Sequence, residues 1–431
     1  MRDASALQSS IDDALAQTPP GRCVWIALSG GLDSSLLLTL AAHACLRHPR
    51  PLRALHVHHG LQAAGDDFER HCHRLASRLG VPLWVERVEV DLTAGQGVEG
   101  AAREARYAAF ARRLMPGETL WLAQHADDQA ETLLLAALRG SGVRGLAAMP
   151  SGRDGRGWRL ARPLLGASRV ALEAEARRHG LAWVEDPSNR DERLDRNFLR
   201  HRVLPLLETR WPAATHCLAR SAALAGEADG LLDELAALDI ERLGGDPARL
   251  PAAGLQGLSA PRRRLLIRHA CQRLGHSTPP ARRLASLLDQ LDARADGEVR
   301  VAWPGAEARV WRGHLYLLSP AEAVPSDDER GEWPVAWYGQ TPLVTPLGEW
   351  NVTLRRNDGA SAPLRVAPRR GGECLRLAGR GRRDLKRLLQ ELDVPPWERG
   401  RLLVVHRGEE AVAVLAPSGR WRLVAEGWSV A

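Results

Sequence analysis

A doubly wound α/β domain on a parallel sheet, followed by a mainly helical domain and a small α/β C-terminal domain, is the fold class this sequence predicts. Three observations carry it. Four short apolar runs, Val24–Leu28, Leu52–Val57, Leu83–Val88 and Thr119–Ala123, alternate with helical segments, a pattern that demands parallel strands joined by crossover helices. A Ser-Gly-Gly turn joins the first strand to its helix. The chemically distinctive residues then follow the strand ends, at Ser29–Ser35, His56–Gly60 and Gln124–Glu131. Ligands bind at the carboxyl ends of strands in such a sheet.

The first strand runs into Ala27-Leu28-Ser29-Gly30-Gly31-Leu32-Asp33-Ser34-Ser35, with a helix expected over Ser34–Ala44. Glycine permits positive φ and lets backbone N–H groups approach an anion with no Cβ in the way. The hydroxyls of Ser34 and Ser35 are expected to cap the helix, whose dipole adds partial positive charge. Strand, Ser-Gly-Gly and helix N-terminus together form a phosphate cradle. The run lacks the Gly-Lys-Ser/Thr of a Walker loop and the third glycine of a dinucleotide fingerprint.

The second strand leads to His56-Val57-His58-His59-Gly60-Leu61. His71-Cys72-His73 lies on a helix, where adjacent residues diverge, so a solvated face is expected there rather than a metal site. Arg103 and Arg106, three apart on the helix before the fourth strand, are suited to holding phosphates or RNA backbone. After the fourth strand, Gln124–Thr132 opens a helix on which His125, Asp128 and Glu131 step by three and share a face. Carboxylates there can hold Mg²⁺ against phosphates or receive an ammonium, and an imidazole can assist proton transfer. Arg196, Asn197 and Arg200 form an arginine-rich helix start placed to reach back over the pocket.

Domains are expected at 1–215, 216–320 and 345–431, with a linker over 321–344. Helical spacing marks Leu231–Leu238 and Arg263–Leu274, followed by strand-like Val299–Trp303 and Ala308–Leu318. Ser319–Pro334, rich in Pro, Asp and Glu, is a break between domains. A last helix is expected over Arg382–Leu392, stopped by Pro395-Pro396.

Composition narrows the class. A chain of 431 residues with 45% hydrophobic and 26% charged content is ordinary for a globular protein. No apolar stretch is long enough to span a bilayer, and Met1–Ser5 opens no signal-peptide core, so a cytoplasmic protein is expected. Six cysteines without a C-x-x-C pair argue against a zinc ribbon or a disulfide framework. A net charge of +7 favours a polyanionic partner. Lys386 is the single lysine, so phosphate must be met by backbone amides and arginine.

Ser29–Ser34, as S-G-G-x-D-S, resembles the pyrophosphate (PP) loop of the ATP pyrophosphatase superfamily. The run from His125 to Thr132 with Leu138-Arg139-Gly140-Ser141-Gly142 narrows the likeness to the bacterial tRNA(Ile)-lysidine synthetase family. His58–Leu61, Ala102–Tyr107, Arg162–Leu165, Asp186–Asn189 and Arg196–Arg200 agree with it, as do Arg370–Glu373, Lys386–Leu389 and Pro395–Trp397. Arg399-Gly400 followed by Arg401-Leu402-Leu403 departs from the family, which carries Arg-Asp and then a proline there.

The resemblance implies adenylation by ATP at carbon 2 of the wobble cytidine in a tRNA(Ile) with a CAU anticodon. The ε-amine of free L-lysine then displaces AMP. On this basis Ser29, Gly30, Gly31, Leu32, Asp33, Ser34, Ser35 and His59 are expected to bind ATP, and Asp33 and Asp128 to hold Mg²⁺. Asp33, Arg103, His125, Asp128 and Glu131 are the expected catalytic set. Lysine and tRNA fall to Arg106, Arg196, Asn197, Arg200, Arg382, Arg383 and Lys386. Either His125 or a carboxylate can take the proton of the ε-amine. Members of the family are often homodimers. Two rivals are a tRNA thiolating enzyme of the same superfamily, which needs a reactive cysteine or a cysteine-held cluster, and an ATP-binding RNA adaptor without turnover.

Overall fold

The computed structural model describes residues 6–60, 65–90, 97–155, 157–293, 299–319, 333–359, 363–416 and 421–430. Met1–Ser5, Leu61 and residues 320–332 of the expected break lie outside them. The chain divides into two compact units, Met1–Leu232 and Asp233–Ala431.

In the first unit, helix α1 (Ala6–Ala16) precedes β1 (Val24–Ala27), α2 (Leu32–Arg47), β2 (Leu52–His58), α3 (Gly65–Leu79), β3 (Leu83–Arg87), α4 (Gly97–Arg113) and β4 (Thr119–Trp121). Then come α5 (Ala126–Leu138), α6 (Val143–Leu146), β5 (Gly152–Gly155), β6 (Trp158–Ala161) and α7 (Arg169–Arg178). The six strands order as β3-β2-β1-β4-β6-β5. Only the outermost pair, β5 with β6, is antiparallel. The four expected strands are present; β5 and β6 extend the sheet beyond them. Chain order reverses between β1 and β4, the switch point where ligands bind such sheets. Leucines of α2 pack on one sheet face with Ile11, Val24 and Ile26; Trp25, Leu55, Phe110 and Leu120 fill the other.

Helix α2 begins two residues earlier than expected. Gly31 is its N-cap and offers no side-chain cap, so the serines do not cap it. The unit closes with α8 (Asp195–Phe198), a π-helical turn (Leu199–Val203), α9 (Leu204–Arg210) and the opening of α10 (Ala214–Arg242). No helix among the described residues is long and apolar enough to cross a membrane.

The second unit carries more strand than the sequence suggests. Strands β7 (Arg249–Pro251), β8 (Arg300–Trp303), β9 (Ala306–Trp311) and β10 (His314–Leu318) form a sheet beside α11 (Ala252–Gln256), α12 (Ala260–Arg273) and α13 (Ala281–Ala293). The run Ala308–Leu318 is therefore a hairpin, turned by Arg312 and Gly313 at φ of 45° and 72°. Farther on, β11 (Val335–Trp337) falls within the expected linker. Two small ladders pair β12 (Leu343–Thr345) with β13 (Gly348–Trp350), and β14 (Leu354–Arg356) with β21 (Trp428–Val430). The main C-terminal sheet joins β11 to β15 (Leu364–Pro368), β16 (Cys374–Leu377), β17 (Gly381–Asp384), β18 (Leu403–Arg407), β19 (Glu410–Leu415) and β20 (Trp421–Val424). Helices α14 (Leu385–Glu391) and α15 (Pro396–Arg399) accompany it. Helix α14 starts three residues later than expected because Asp384 caps it, accepting from the Arg387 amide at 3.1 Å. Arg382 and Arg383 accordingly stand on strand β17, not on the helix.

Candidate active site

A cavity of about 1030 Å³ opens over the carboxyl ends of β1, β2 and β4. Its floor is the turn after β1. Gly30 adopts φ 89°, a conformation closed to most L-residues, and a Cβ there would meet Phe68 and Cys72 of α3 at 3.2 and 3.3 Å. The turn is held from within: the Ser29 amide donates to Ser34 Oγ at 3.1 Å, and the two hydroxyls meet at 2.9 Å. Val184 donates to the Gly30 carbonyl at 3.1 Å, tying the 183–186 segment to the loop.

Ser29, Gly31, Leu32, Asp33 and Ser34 line the cavity. Ser35 does not belong to this lining: it is fully buried, with Oγ 3.5 Å from His71 Nε2 on α3. Gly30 shapes the loop from behind.

The second wall is the start of α5. His125 is the N-cap rather than a member of the helix face, and its amide donates to Asp128 Oδ2 at 3.0 Å. Its imidazole is ringed by carboxylates. Nδ1 lies 3.4 Å from Asp127, and Nε2 lies 3.8 Å from Asp33 and 3.6 Å from Asp128. Burial opposes protonation of this ring, but Asp127, Asp128 and Asp33 outweigh it and raise its pKa above the usual histidine value. Asp127 is held low despite its own burial, by His125 and by the Arg169 amide.

Asp128 and Glu131 face inward, and two arginines meet them. Glu131 is fully buried, and it accepts from Arg196 Nε and Arg200 Nε, each at 2.6 Å. Asp128 Oδ1 accepts from Arg196 at 2.8 Å and Arg200 at 3.2 Å. Arg196 stands on α8, while Arg200 stands in the π-helical turn, a distortion that recurs at functional sites. Burial works against both guanidiniums, yet the carboxylates raise their pKa values further. The carboxylates expected to receive an ammonium are thus already occupied by the protein's own cations. Asn197 turns away, donating to the Ser188 and Asp191 carbonyls at 2.9 and 3.0 Å, and so fixes the 188–191 turn.

Arg103 and Arg106 line the opposite side, with the Arg103 guanidinium 5.2 Å from the centre of the Tyr107 ring. His59 lines it too. Burial, reinforced by Arg106, lowers its pKa to about 4, and its buried Nδ1 has no hydrogen-bond partner among the described residues. A neutral imidazole offers one donor and one acceptor to the edge of a base.

Three lining residues that sequence reasoning passed over complete the wall. Arg169 grips Asp33 through both carboxylate oxygens at 2.5 and 2.6 Å. Asp127 bridges His125 and Arg169, and Gln124 accepts from Arg162 Nε. No sequence signal separates Arg169 from the many other arginines.

Nearby, His58, Asp66 and Glu69 bring possible ligand atoms within 4.8 Å. The Gly60 amide donates to His58 Nδ1 at 3.2 Å, so the ring proton sits on Nε2, facing Asp66 at 3.4 Å. Glu69 meets Arg87 at 2.8 Å. With Glu69 taken up by Arg87, the trio is not a cation cage. Asp33 and Asp128 are likewise paired with arginines, but they line the cavity beside the phosphate loop, and their hard oxygens suit a divalent cation.

In the second unit Arg382, Arg383 and Lys386 are exposed on β17 and α14, apart from any described cavity.

Comparison with known proteins gives three family matches in chain order: a PP-loop domain over residues 4–207, a TilS substrate binding domain over 250–316 and a TilS substrate C-terminal domain over 364–419. The chain is 47% identical over 412 residues to the tRNA(Ile)-lysidine synthase of Xanthomonas axonopodis pv. citri, covering 93% of this chain and 90% of the relative. It is 44% identical to that of Pseudomonas aeruginosa over 449 residues, covering 99% and 98%. Identity to the Alkalilimnicola ehrlichii protein is 44% over 410 residues, covering 93% and 91%.

Proposed function

The chain belongs to the tRNA(Ile)-lysidine synthase family, and from that premise we propose how its cavity divides the labour of the reaction. The enzyme is a ligase that forms a carbon–nitrogen bond in tRNA(Ile). ATP is bound over Ser29, Gly31, Leu32 and Ser34, whose backbone amides and hydroxyls face the β- and γ-phosphates. His59 accepts a hydrogen bond from an exocyclic amine. Asp33 and Asp128 would hold Mg²⁺, which when bound would supply charge neutralisation at the phosphates.

The oxygen on carbon 2 of the wobble cytidine attacks the α-phosphorus, the α–β bond breaks, and pyrophosphate leaves. The ε-amine of free lysine then bonds to carbon 2, AMP departs with that oxygen, and the amine's proton passes to His125 or a carboxylate of the cavity. Most of this is positioning and charge stabilisation. Arg103 and Arg106 hold RNA or nucleotide phosphate. Asp128 and Glu131 receive the lysine ammonium as Arg200 yields part of its contact. Arg382, Arg383 and Lys386 bind tRNA backbone.

The observation that carries this reading is the convergence of the Ser-Gly-Gly loop and the His125–Glu131 carboxylates on one cavity at the sheet's switch point. A thiolating enzyme is disfavoured by the cysteines. None of the six lines the cavity, and burial pushes the Cys72 thiol, behind the loop, up to about 12. The test is transfer of radiolabelled lysine into a tRNA(Ile) transcript with a CAU anticodon, beside a tRNA(Met) transcript, with and without ATP. Stable ATP-dependent label on the isoleucine transcript alone is expected. Pyrophosphate release with no label would show that the acceptor is misassigned.

A further inference from the structure

The segment after β6 carries a cation that the scheme above leaves idle. Arg169 opens α7, and its backbone is pinned to the start of α5. The Arg169 amide donates to Asp127 Oδ2, and the Ala126 amide donates to the Ala167 carbonyl, both at 2.8 Å. From that fixed base the side chain lines the cavity and reaches Asp33 in the first turn of α2. Its side chain is 42% exposed, so the partner of the guanidinium can be exchanged. Arg196 and Arg200 are paired with Glu131 and Asp128 of α5 rather than with a carboxylate of the loop. No lysine precedes Lys386. Arg169 is thus the guanidinium held directly on the loop's own carboxylate.

We propose that Arg169 is a catalytic residue for pyrophosphate departure. Its guanidinium holds Asp33 while the loop is empty and turns to the β- and γ-phosphate oxygens once Asp33 is engaged by a divalent cation. The inference rests on the assignment of the Ser29–Ser34 loop to pyrophosphate made above. As the bond between the α-phosphorus and the bridging oxygen breaks, its electron pair passes to the leaving pyrophosphate, whose charge rises. A planar, permanently charged fork matches that group. Because the Arg169 backbone is already anchored, only its side chain has to move.

The test is titration calorimetry with Mg²⁺, using α,β-methylene ATP and AMP as separate ligands. Wild type, Arg169→Ala and Arg169→Lys are compared, with Arg177→Ala, on an exposed position of the same helix, as control. Arg169→Ala is expected to weaken the ATP analogue about tenfold or more and AMP by less than about twofold, with Arg169→Lys between. Equal losses for both ligands, or none, would overturn the proposal. A second arm does not depend on how well Arg169→Ala folds. In EDTA, Asp33→Asn is expected to bind pyrophosphate more tightly than wild type, and Asp33→Asn/Arg169→Met to lose that gain. A gain that survives in the double variant would assign it to the lost carboxylate alone and refute the role of Arg169. Absence of lysine transfer by wild type would instead strike the proposed function, whatever the Arg169 variants do.

Discussion

Around the cavity of the first unit, Arg169, Arg196 and Arg200 meet carboxylates at 2.5 to 3.2 Å. On β17 and α14 of the second unit, Arg382, Arg383 and Lys386 are exposed, and among the described residues none of them meets a carboxylate. The chain uses one kind of charge in two physical regimes. Where Glu131 is fully buried, each charge must be answered, and removing one partner strands the others. Where cations stand in solvent, each is free to take a phosphate, and losing one costs binding rather than fold.

The strongest test of the contrast is Asp33→Ala. Pyrophosphate release should fall by at least about a thousandfold. The stability change should stay under about 1 kcal/mol, because Arg169, left behind, is well exposed. A coupled pyrophosphate assay and a urea titration read the two effects, and normal turnover would sink the assignment of the loop. Next comes Glu131→Gln, which leaves Arg196 and Arg200 with Asp128 alone. A loss of about 2–3 kcal/mol in urea unfolding is expected, together with loss of lysine transfer. An unchanged midpoint would mean that both arginines swing out to water and that the buried regime is misread.

A smaller effect is expected in the second unit. Replacing Arg382, Arg383 and Lys386 by alanine should weaken tRNA binding about tenfold and reduce its logarithmic salt slope by about two to three. ATP affinity and the unfolding midpoint should not move. If affinity and slope both stay put, this face is not an RNA contact.

The smallest concerns His59. Its folded pKa of about 4 lies below the ordinary 6.5, so between these values the unfolded chain binds the proton first. Stability contributed by the neutral ring is therefore present above about 6.5 and is lost as pH falls toward 4. His59→Gln should flatten that part of the melting-temperature profile relative to wild type. Parallel profiles would place His59 in open water.

Much of the catalytic unit was legible because its signals are local. Apolar runs marked β1 to β4 to within two residues at their ends, and Ser29–Ser34 and His125–Glu131 follow those strands into the first turns of α2 and α5. What escaped was short or non-local. Gly152–Gly155 has no apolar period, and β6 spans only four residues. Ala308–Leu318 reads as one apolar run, and only its Arg312-Gly313 turn marks the hairpin. Asp384, a good N-cap, marked the true start of α14, but the arginines before it extended the apparent helix. The pairing of Arg169 with Asp33 joins residues far apart in the chain, and only the fold brings them together.

Residues 1–232 contain no lysine, so every permanent cation around the cavity is a guanidinium. A guanidinium stays protonated at any pH the protein survives and is a poor nucleophile. An adenylated cytidine is an electrophile that a neutral amine attacks readily. Held in this cavity, it meets no side-chain amine of the enzyme, so self-modification does not compete, and its lifetime is set by water and by the lysine that diffuses in.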